Sequence, residues 1–492
     1  MTKKAKYKLY VNILNVIVNI FLNMVKRGNC LSKFNSSQGF EKIKDAISKK
    51  PSSVHFIGVG GVSMYSLFNF TSRLGIAVSG SDKSSSERTE KLIKKGFDVK
   101  VPENREALLR ATLAVYSLAV SENDSEIRLA EELGIPLVSR AEYLAYVSEE
   151  YKTKISVSGS HGKSTVTAMI TKILSDASLS PSALSGAALA GICEPYIFGK
   201  RDYLVFEGCE YKDSFLRFSP DFSVFLNLEL DHTDYFKSFD DIKRSFFSAM
   251  QRADTCVVNK DDAELFSLAV ASGRSVKSFG IENDADFSAK DLKSDCGFYS
   301  FSVLKDGKAL EEIKLSVLGR FSVYNALAAF SLAFTLGVEP SIISKSLSQF
   351  SGIERRLELI GKKENGAPII YDYAHHPSEI KSGIMALRES YKGKITVVFK
   401  PHTYTRTRDL FDEFAISLGF ADKVYLSAID AIRETEIEGV SSENLARAIG
   451  GGAKALSDEE IAKEVSASSD AVIIMGAANL DKIKRKILAN NF

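Results

Sequence analysis

Tryptophan is absent from the 492 residues, which excludes nothing by itself, but three other shortages do exclude. Charge of one sign is nearly missing: Lys+Arg 64 against Asp+Glu 62 leaves a net +2, so no bulk field holds nucleic acid or an anionic membrane, and any anion must be bound locally. Cysteine is scarce. Cys30, Cys193, Cys209, Cys256 and Cys296 are odd in number, scattered and never spaced C-x-x-C, which argues against a disulfide framework and for a reducing compartment, the cytoplasm. A clean apolar run is missing as well. Residues 9–25 follow a basic start, but Asn12, Asn15, Asn19 and Asn23 interrupt them and no small-residue cleavage site follows. Neither a signal peptide nor stable membrane insertion is expected, and residues 1–40 read as a disordered or amphipathic extension, with translation from Met24 as the alternative.

What is present is an ordinary globular composition, 45% hydrophobic with only 10 prolines, in a chain too long for one core. From Ser53 the pattern alternates. An apolar strand at 54–59 meets Gly60-Gly61, a helical segment follows, and a second strand ends at Ser81-Asp82; further strands are read at 113–120 and 136–139, with a helix at 122–133. A second strand–loop–helix unit opens at Lys154, with strands at 203–207 and 223–228. A charged, turn-like segment at 352–356 precedes a third alternating set with strands at 369–373, 395–399 and 471–475. Three α/β domains are therefore expected, at 41–150, 151–352 and 353–492, without solenoid repeats or low-complexity tracts.

The most specific signal is Gly159-Ser160-His161-Gly162-Lys163-Ser164-Thr165, between a strand and the helix that begins at Val166. Glycines let backbone N–H groups approach phosphate oxygens, the helix N-terminus adds its positive end, Lys163 supplies a point charge, and the Ser164 hydroxyl can ligate Mg²⁺. Downstream, Glu207 closes a strand and Asp231-His232 follows the next. If these strands flank the phosphate-loop strand, all three ends meet at one sheet edge, where a carboxylate and an imidazole can hold a cation beside a transferring phosphoryl group.

This loop resembles the ATP loop of the Mur ligase family, and Glu207 and His232 resemble its magnesium-site residues together with Ser164. Asn325, in Tyr324-Asn325-Ala326-Leu327, resembles the adenine-contacting segment; the bare alternative is a helix cap. In the third region Arg356, the run Asp372-Tyr373-Ala374-His375-His376-Pro377, and the run His402-Thr403-Tyr404-Thr405-Arg406 resemble, in that order, the alanine-adding branch of the family. At the front, Gly58, Gly60 and Gly61, with Ser81 and Asp82 after the next strand, resemble its UDP-binding turn; a plain dinucleotide-binding fold, and with it a nicotinamide-dependent oxidoreductase, is the other reading of that turn alone.

The resemblance implies an N-terminal Rossmann-like UDP-binding domain, a central P-loop ATPase-like domain with a mostly parallel sheet, and a C-terminal Rossmann-like α/β domain that binds the amino acid. It implies amide formation between the lactyl carboxylate of UDP-N-acetylmuramate and L-alanine, driven by ATP and Mg²⁺ through an acyl phosphate. Lys163, Glu207, His232, Arg356 and Asp372 would be catalytic, residues 159–165 with Asn325 would hold ATP, and His376, His402 and Arg406 would hold the amino acid. A monomer or homodimer is expected. A murein-tripeptide recycling ligase and a catalytically weakened nucleotide-binding relative are the alternatives.

Overall fold

Three sheets follow one another along the chain; the core of the first runs on into one face of the second, whose other face has a core of its own, as does the third sheet. The structure is a computed structural model and describes residues 36–49, 51–189, 192, 194–431, 434–477 and 480–489. The expected extension at 1–40 lies outside these as far as residue 35. Helix Ser36–Ser48 begins inside that expected extension and packs Ile43 and Ala46, both buried, into the first core.

The first sheet is all parallel, in spatial order Asp98–Lys100, Ala77–Ser81, Ser53–Ile57, Leu113–Tyr116, Leu137–Ser139. The chain winds outward from Ser53–Ile57 in both directions, so a crevice opens beyond the carboxyl end of that strand, where the 58–61 turn lies. Phe56 anchors the face beneath it, edge-on to Phe68 at 5.4 Å and to Tyr143 at 5.8 Å. The strand expected over 113–120 stops at Tyr116, because Ser117 donates its N–H back to Ile57 and Val120 closes a turn on Ser117.

In the ten-stranded second sheet, strand Thr153–Ser158 lies between Phe222–Phe225 and Tyr203–Glu207, all parallel. The three loops that follow these strands therefore emerge side by side. Strands Phe287–Asp295, Phe298–Lys305 and Lys308–Leu318 extend one edge as an antiparallel meander, so the sheet is parallel at its centre and antiparallel at its rim. Strand 222–225 ends three residues earlier than expected. Leu228 there donates its N–H to the Asp262 carboxylate at 2.8 Å, which draws the chain off the sheet.

The third sheet has six strands, centred on Ala471–Met475 and Ile395–Phe399, with one antiparallel edge strand, Glu358–Lys362. Every residue of the two central strands is buried, the pattern of parallel strands covered on both faces by helices. Truncating Ile473 there to Ala is expected to cost ~2–5 kcal/mol. Among the described residues no helix is long and apolar enough to cross a membrane.

Candidate active site

Loop 159–162 is shaped by its two glycines. Gly162 has φ 85°, and a Cβ there would sit 2.8 Å from Asn325 Oδ1; a Cβ on Gly159, with φ 145°, would sit 3.0 Å from Leu226 Cβ. Helix Lys163–Asp176 starts at Gly162 without a side-chain cap, which leaves its first N–H groups available to an anion. Asn325, on helix Phe321–Thr335, thus stands directly over the loop.

Lys163 is turned back into the loop. Its Nζ donates to the Gly159 and Ser160 carbonyls and lies 3.0 Å from both oxygens of Glu210. Burial alone would push the ammonium down; the Glu210 carboxylate outweighs it and holds the group at about 12. Glu210 is fully buried and also faces His232, whose Nε2 is 3.6 Å away. Sequence reasoning singled out Glu207 and passed over Glu210, since nothing in a run of two nearby acids tells which one the turn at Lys212 and Asp213, both at positive φ, aims at the lysine.

Glu207 serves a different point. Its carboxylate accepts from Ser185 Oγ at 3.1 Å and from the Gly186 N–H, and a Cβ built on Gly186 would lie 3.0 Å from Glu207 Oε2 and 3.3 Å from Ser164 Oγ. Glycine at 186 thus leaves open a small cradle between a carboxylate and a hydroxyl, oxygen donors of the kind a hard dication takes. The structure brings Ser164 and Glu207 together around it, while His232 stands on the Lys163 side with Glu210 as its partner.

Only six histidines occur in the chain, and five of them, His161, His232, His375, His376 and His402, gather where the third sheet's loops meet the phosphate loop; His55 alone lies in the first core. His161 places Nε2 at 3.1 Å from Glu229 Oε2 and Nδ1 at 3.2 Å from Glu379 Oε1. Burial opposes charge on this ring, but the two carboxylates raise it to about 10, so it stands as an imidazolium. Glu379 comes from helix Pro377–Ser390 of the third sheet and also takes Arg356 Nη1 at 3.1 Å. The Arg356 guanidinium lies 5.1 Å from the centre of the Tyr373 ring.

Asp372, at the end of its strand, accepts from the N–H of Leu357 at 2.9 Å and of Ala374 at 2.7 Å, so it fixes the turn that carries Arg356. Burial raises its carboxyl to about 6, against the pull of Arg356. A second link crosses the seam where Arg406 Nη2 meets Asp231 Oδ1 at 3.0 Å, and Arg406 Nη1 donates to His402 Nδ1 at 3.2 Å. Burial and then the neighbouring guanidinium drive His402 down to about 4, so it is neutral. His376 caps helix 377–390 by accepting from the Ser378 N–H.

Between the second and third sheets lies a cavity of about 950 Å³, walled by His161, Gly162, Phe279 and Asn325 on one side and by Arg356 and Asp372 on the other. That is the size class of nucleotide and cofactor sites. At the first sheet, Gly58 has φ 84°, Gly60 donates its N–H to Asp82 Oδ2 at 2.8 Å, and Arg88 Nε donates to the Gly60 carbonyl at 2.6 Å. Gly61 opens helix Val62–Arg73 without a side-chain cap. The Ser81 hydroxyl points inward, to buried Glu126.

Residues 53–152 match the catalytic domain of the Mur ligase family, 157–333 the Mur ligase middle domain, and 355–478 the Mur ligase glutamate ligase domain. A UDP-N-acetylmuramate–L-alanine ligase of Caldanaerobacter subterraneus subsp. tengcongensis is 37% identical over 89% of this chain and 97% of its own length. The chain belongs to the Mur ligase family. In three dimensions it is similar to the UDP-N-acetylmuramate–alanine ligase of Thermotoga maritima, with TM-score 0.76 and 26% identity over 89% of this chain and 98% of that one. A murein peptide ligase of Psychrobacter arcticus shares the fold at TM-score 0.68 and 23% identity, over 89% and 98%. Membership disposes of the oxidoreductase reading of the 58–61 turn, because the phosphate loop and its Lys163 belong to the matched middle domain.

Proposed function

We propose that this Mur ligase works in the cytoplasm and joins L-alanine to the lactyl carboxylate of UDP-N-acetylmuramate at the expense of ATP. The observation that carries the reading is the cavity itself, with His161 and the uncapped helix start at Gly162 on one wall and Arg356 on the facing one, while Lys163 is held in the loop beside it by Glu210. The chemistry follows from the endergonic nature of amide formation in water. The substrate carboxylate attacks the γ-phosphorus, ADP leaves, and the resulting acyl phosphate is attacked at carbon by the alanine amine, with phosphate as leaving group and the amine proton lost to a base.

Lys163 stabilises charge on the phosphoryl group in transfer, and Arg356 neutralises the acyl phosphate from the opposite wall. Ser164 and Glu207, with His232 nearby, would hold Mg²⁺, which when bound offsets phosphate charge. Arg406, oriented by Asp231 and His402, takes the alanine carboxylate together with His376. Turn 58–61 with Asp82 receives the UDP diphosphate. The working division is 41–150 for the UDP-sugar, 151–352 for ATP and 353–492 for the amino acid.

Phosphate release from ATP, Mg²⁺ and UDP-N-acetylmuramate, compared with L-alanine, L-serine, glycine or no amino acid, tests this. Release that requires both the muramate and L-alanine is the expected result. Release without dependence on L-alanine, or nucleotide binding with no release, sinks it.

A further inference from the structure

Four polar side-chain atoms, each able to ligate a cation once any proton on it is lost, converge at the seam between the second and third sheets. His161 Nε2 and His376 Nδ1 lie 3.1 and 3.2 Å from the same oxygen, Glu229 Oε2, and the three ligand atoms are all within 4.8 Å of one another. Ser378 Oγ completes the group, 2.7 Å from Glu229 Oε2, 2.9 Å from His376 Nδ1 and 3.1 Å from His161 Nε2. A tetrahedral ion with bonds of about 2.0–2.1 Å needs its ligands separated by about 3.3 Å. Each histidine nitrogen lies at 3.1 or 3.2 Å from Glu229 Oε2, close to that spacing, and all three ligand atoms fall within 4.8 Å of one another.

Proton counting makes the arrangement informative. His376 Nδ1 accepts the Ser378 N–H, so it presents a lone pair, and 3.2 Å away stands a carboxylate oxygen that presents another. The Ser378 hydroxyl and the His161 Nε2–H are the two side-chain protons that face these acceptors, and a bound ion takes their place. Behind the cluster, Glu379 Oε1 faces His161 Nδ1 at 3.2 Å, the carboxylate–imidazole pairing that orients histidine ligands and raises their basicity.

We propose that His161, Glu229 and His376, with Ser378 or a water in the fourth position, form a tetrahedral site for a borderline dication of the Zn²⁺ class. Two imidazoles select such an ion over Mg²⁺, which keeps to the oxygen cradle of Ser164 and Glu207. Binding releases the His161 proton to solvent. Because His161 and Glu229 belong to the second sheet's loops and His376 to the third's, the ion fastens the third domain onto the phosphate loop and opposes nucleotide exchange.

Co²⁺ alone, titrated into the full chain without nucleotide, reads the coordination directly. The expected result is the intense visible band of four-coordinate Co²⁺, saturating at one equivalent, displaced by Zn²⁺ and untouched by Mg²⁺. His376→Ala should weaken Co²⁺ by at least about tenfold and Glu379→Gln by about tenfold, while Glu207→Gln leaves it unchanged. Zn²⁺ should raise the melting temperature of the wild type and not of His376→Ala. A weak six-coordinate spectrum, or identical titrations of wild type and His376→Ala, overturns the site. Should that variant not fold, X-ray absorption of Zn²⁺ on the wild type decides, with two imidazole nitrogens supporting the site and an all-oxygen or sulfur shell refuting it. Ligase turnover does not enter these readouts, so they fail or succeed independently of the proposed reaction.

Discussion

Turn 58–61 and loop 159–162 both follow a buried parallel strand, and both open a helix that lacks a side-chain cap. Neighbouring helices in the first domain are capped by Ser86, Asp124 and Ser139. The two units differ in what surrounds them. In the first, the neighbouring acid, Asp82, takes a backbone N–H of the turn itself, within the same domain. In the second, the acids take side chains, with Glu210 on Lys163 and Glu207 beside Ser164, and the loop is overlooked by a different domain. On the proposed function, the same local geometry serves binding in one place and group transfer in the other, with the placement of carboxylates setting the difference.

Four experiments sharpen this contrast. Lys163→Ala should lower alanine-dependent phosphate release by ~10²–10³-fold or more, the scale of losing one preorganised charge at a transition state, with the UDP-sugar KM little changed. A rate within tenfold of wild type would remove Lys163 from the reaction. Glu210→Gln leaves the lysine buried without its counter-charge, and the unfolding free energy should fall by ~3 kcal/mol, whereas Glu207→Gln should abolish turnover at nearly unchanged stability. Denaturant titration of both variants separates the two acids.

The third concerns pH. Asp372 has a folded value of about 6 against 3.8 for the free carboxyl, so the folded state holds more protons between those values. Its contribution to stability is therefore greatest below pH 3.8 and declines as pH rises through 6, by on the order of 3 kcal/mol. Asp372→Asn cannot titrate. The wild-type-minus-variant difference in unfolding free energy should shrink by that amount from about pH 4 to about pH 7, and a flat difference would show that the carboxyl is not raised. The smallest effect compares the two turns directly. Gly162→Ala is strained by ~1–2 kcal/mol at its positive φ and also meets Asn325, so the KM for ATP should rise tenfold or more. Gly60→Ala meets the Asp82 carboxylate and the Ser86 hydroxyl, side-chain ends rather than backbone, and should raise the KM for the UDP-sugar a fewfold with that for ATP unmoved. Equal effects on both substrates would erase the distinction.

Much of this arrangement is legible in the residues alone. Strands 203–207, 395–399 and 471–475 are found where apolar runs between turn signals place them, and the neighbouring ends of strands 153–158, 203–207 and 222–225 follow from the parallel winding rule. The meander over 287–318 was not read, because its half-exposed strands mix charged and apolar residues and lack the buried runs of the sheet centres. Glu210, Glu229 and Glu379 were missed for a different reason. Each is an ordinary acid by sequence, and becomes distinctive only when folding removes water from it and sets a cation within about 3 Å. The motif positions themselves announced His161 and His376, but their meeting across two domains is a property of tertiary structure alone.

Asp231 and His232 are joined by one peptide bond and serve different partners: the first holds Arg406 of the third domain, the second faces Glu210 beside Lys163, and His232 Nε2 also lies 4.0 Å from Asp231 Oδ2. His232 is at positive φ, 54°, a backbone conformation that residues other than glycine seldom adopt. A nucleotide that displaces the imidazole is therefore expected to shift the carboxylate that aims the guanidinium. Linkage then requires reciprocity: the factor by which ATP alters amino-acid affinity equals the factor by which the amino acid alters ATP affinity. Two independent titrations, each run with and without the other ligand, must return the same ratio, and that ratio measures how stiff a single peptide unit can be as a conduit between two substrates.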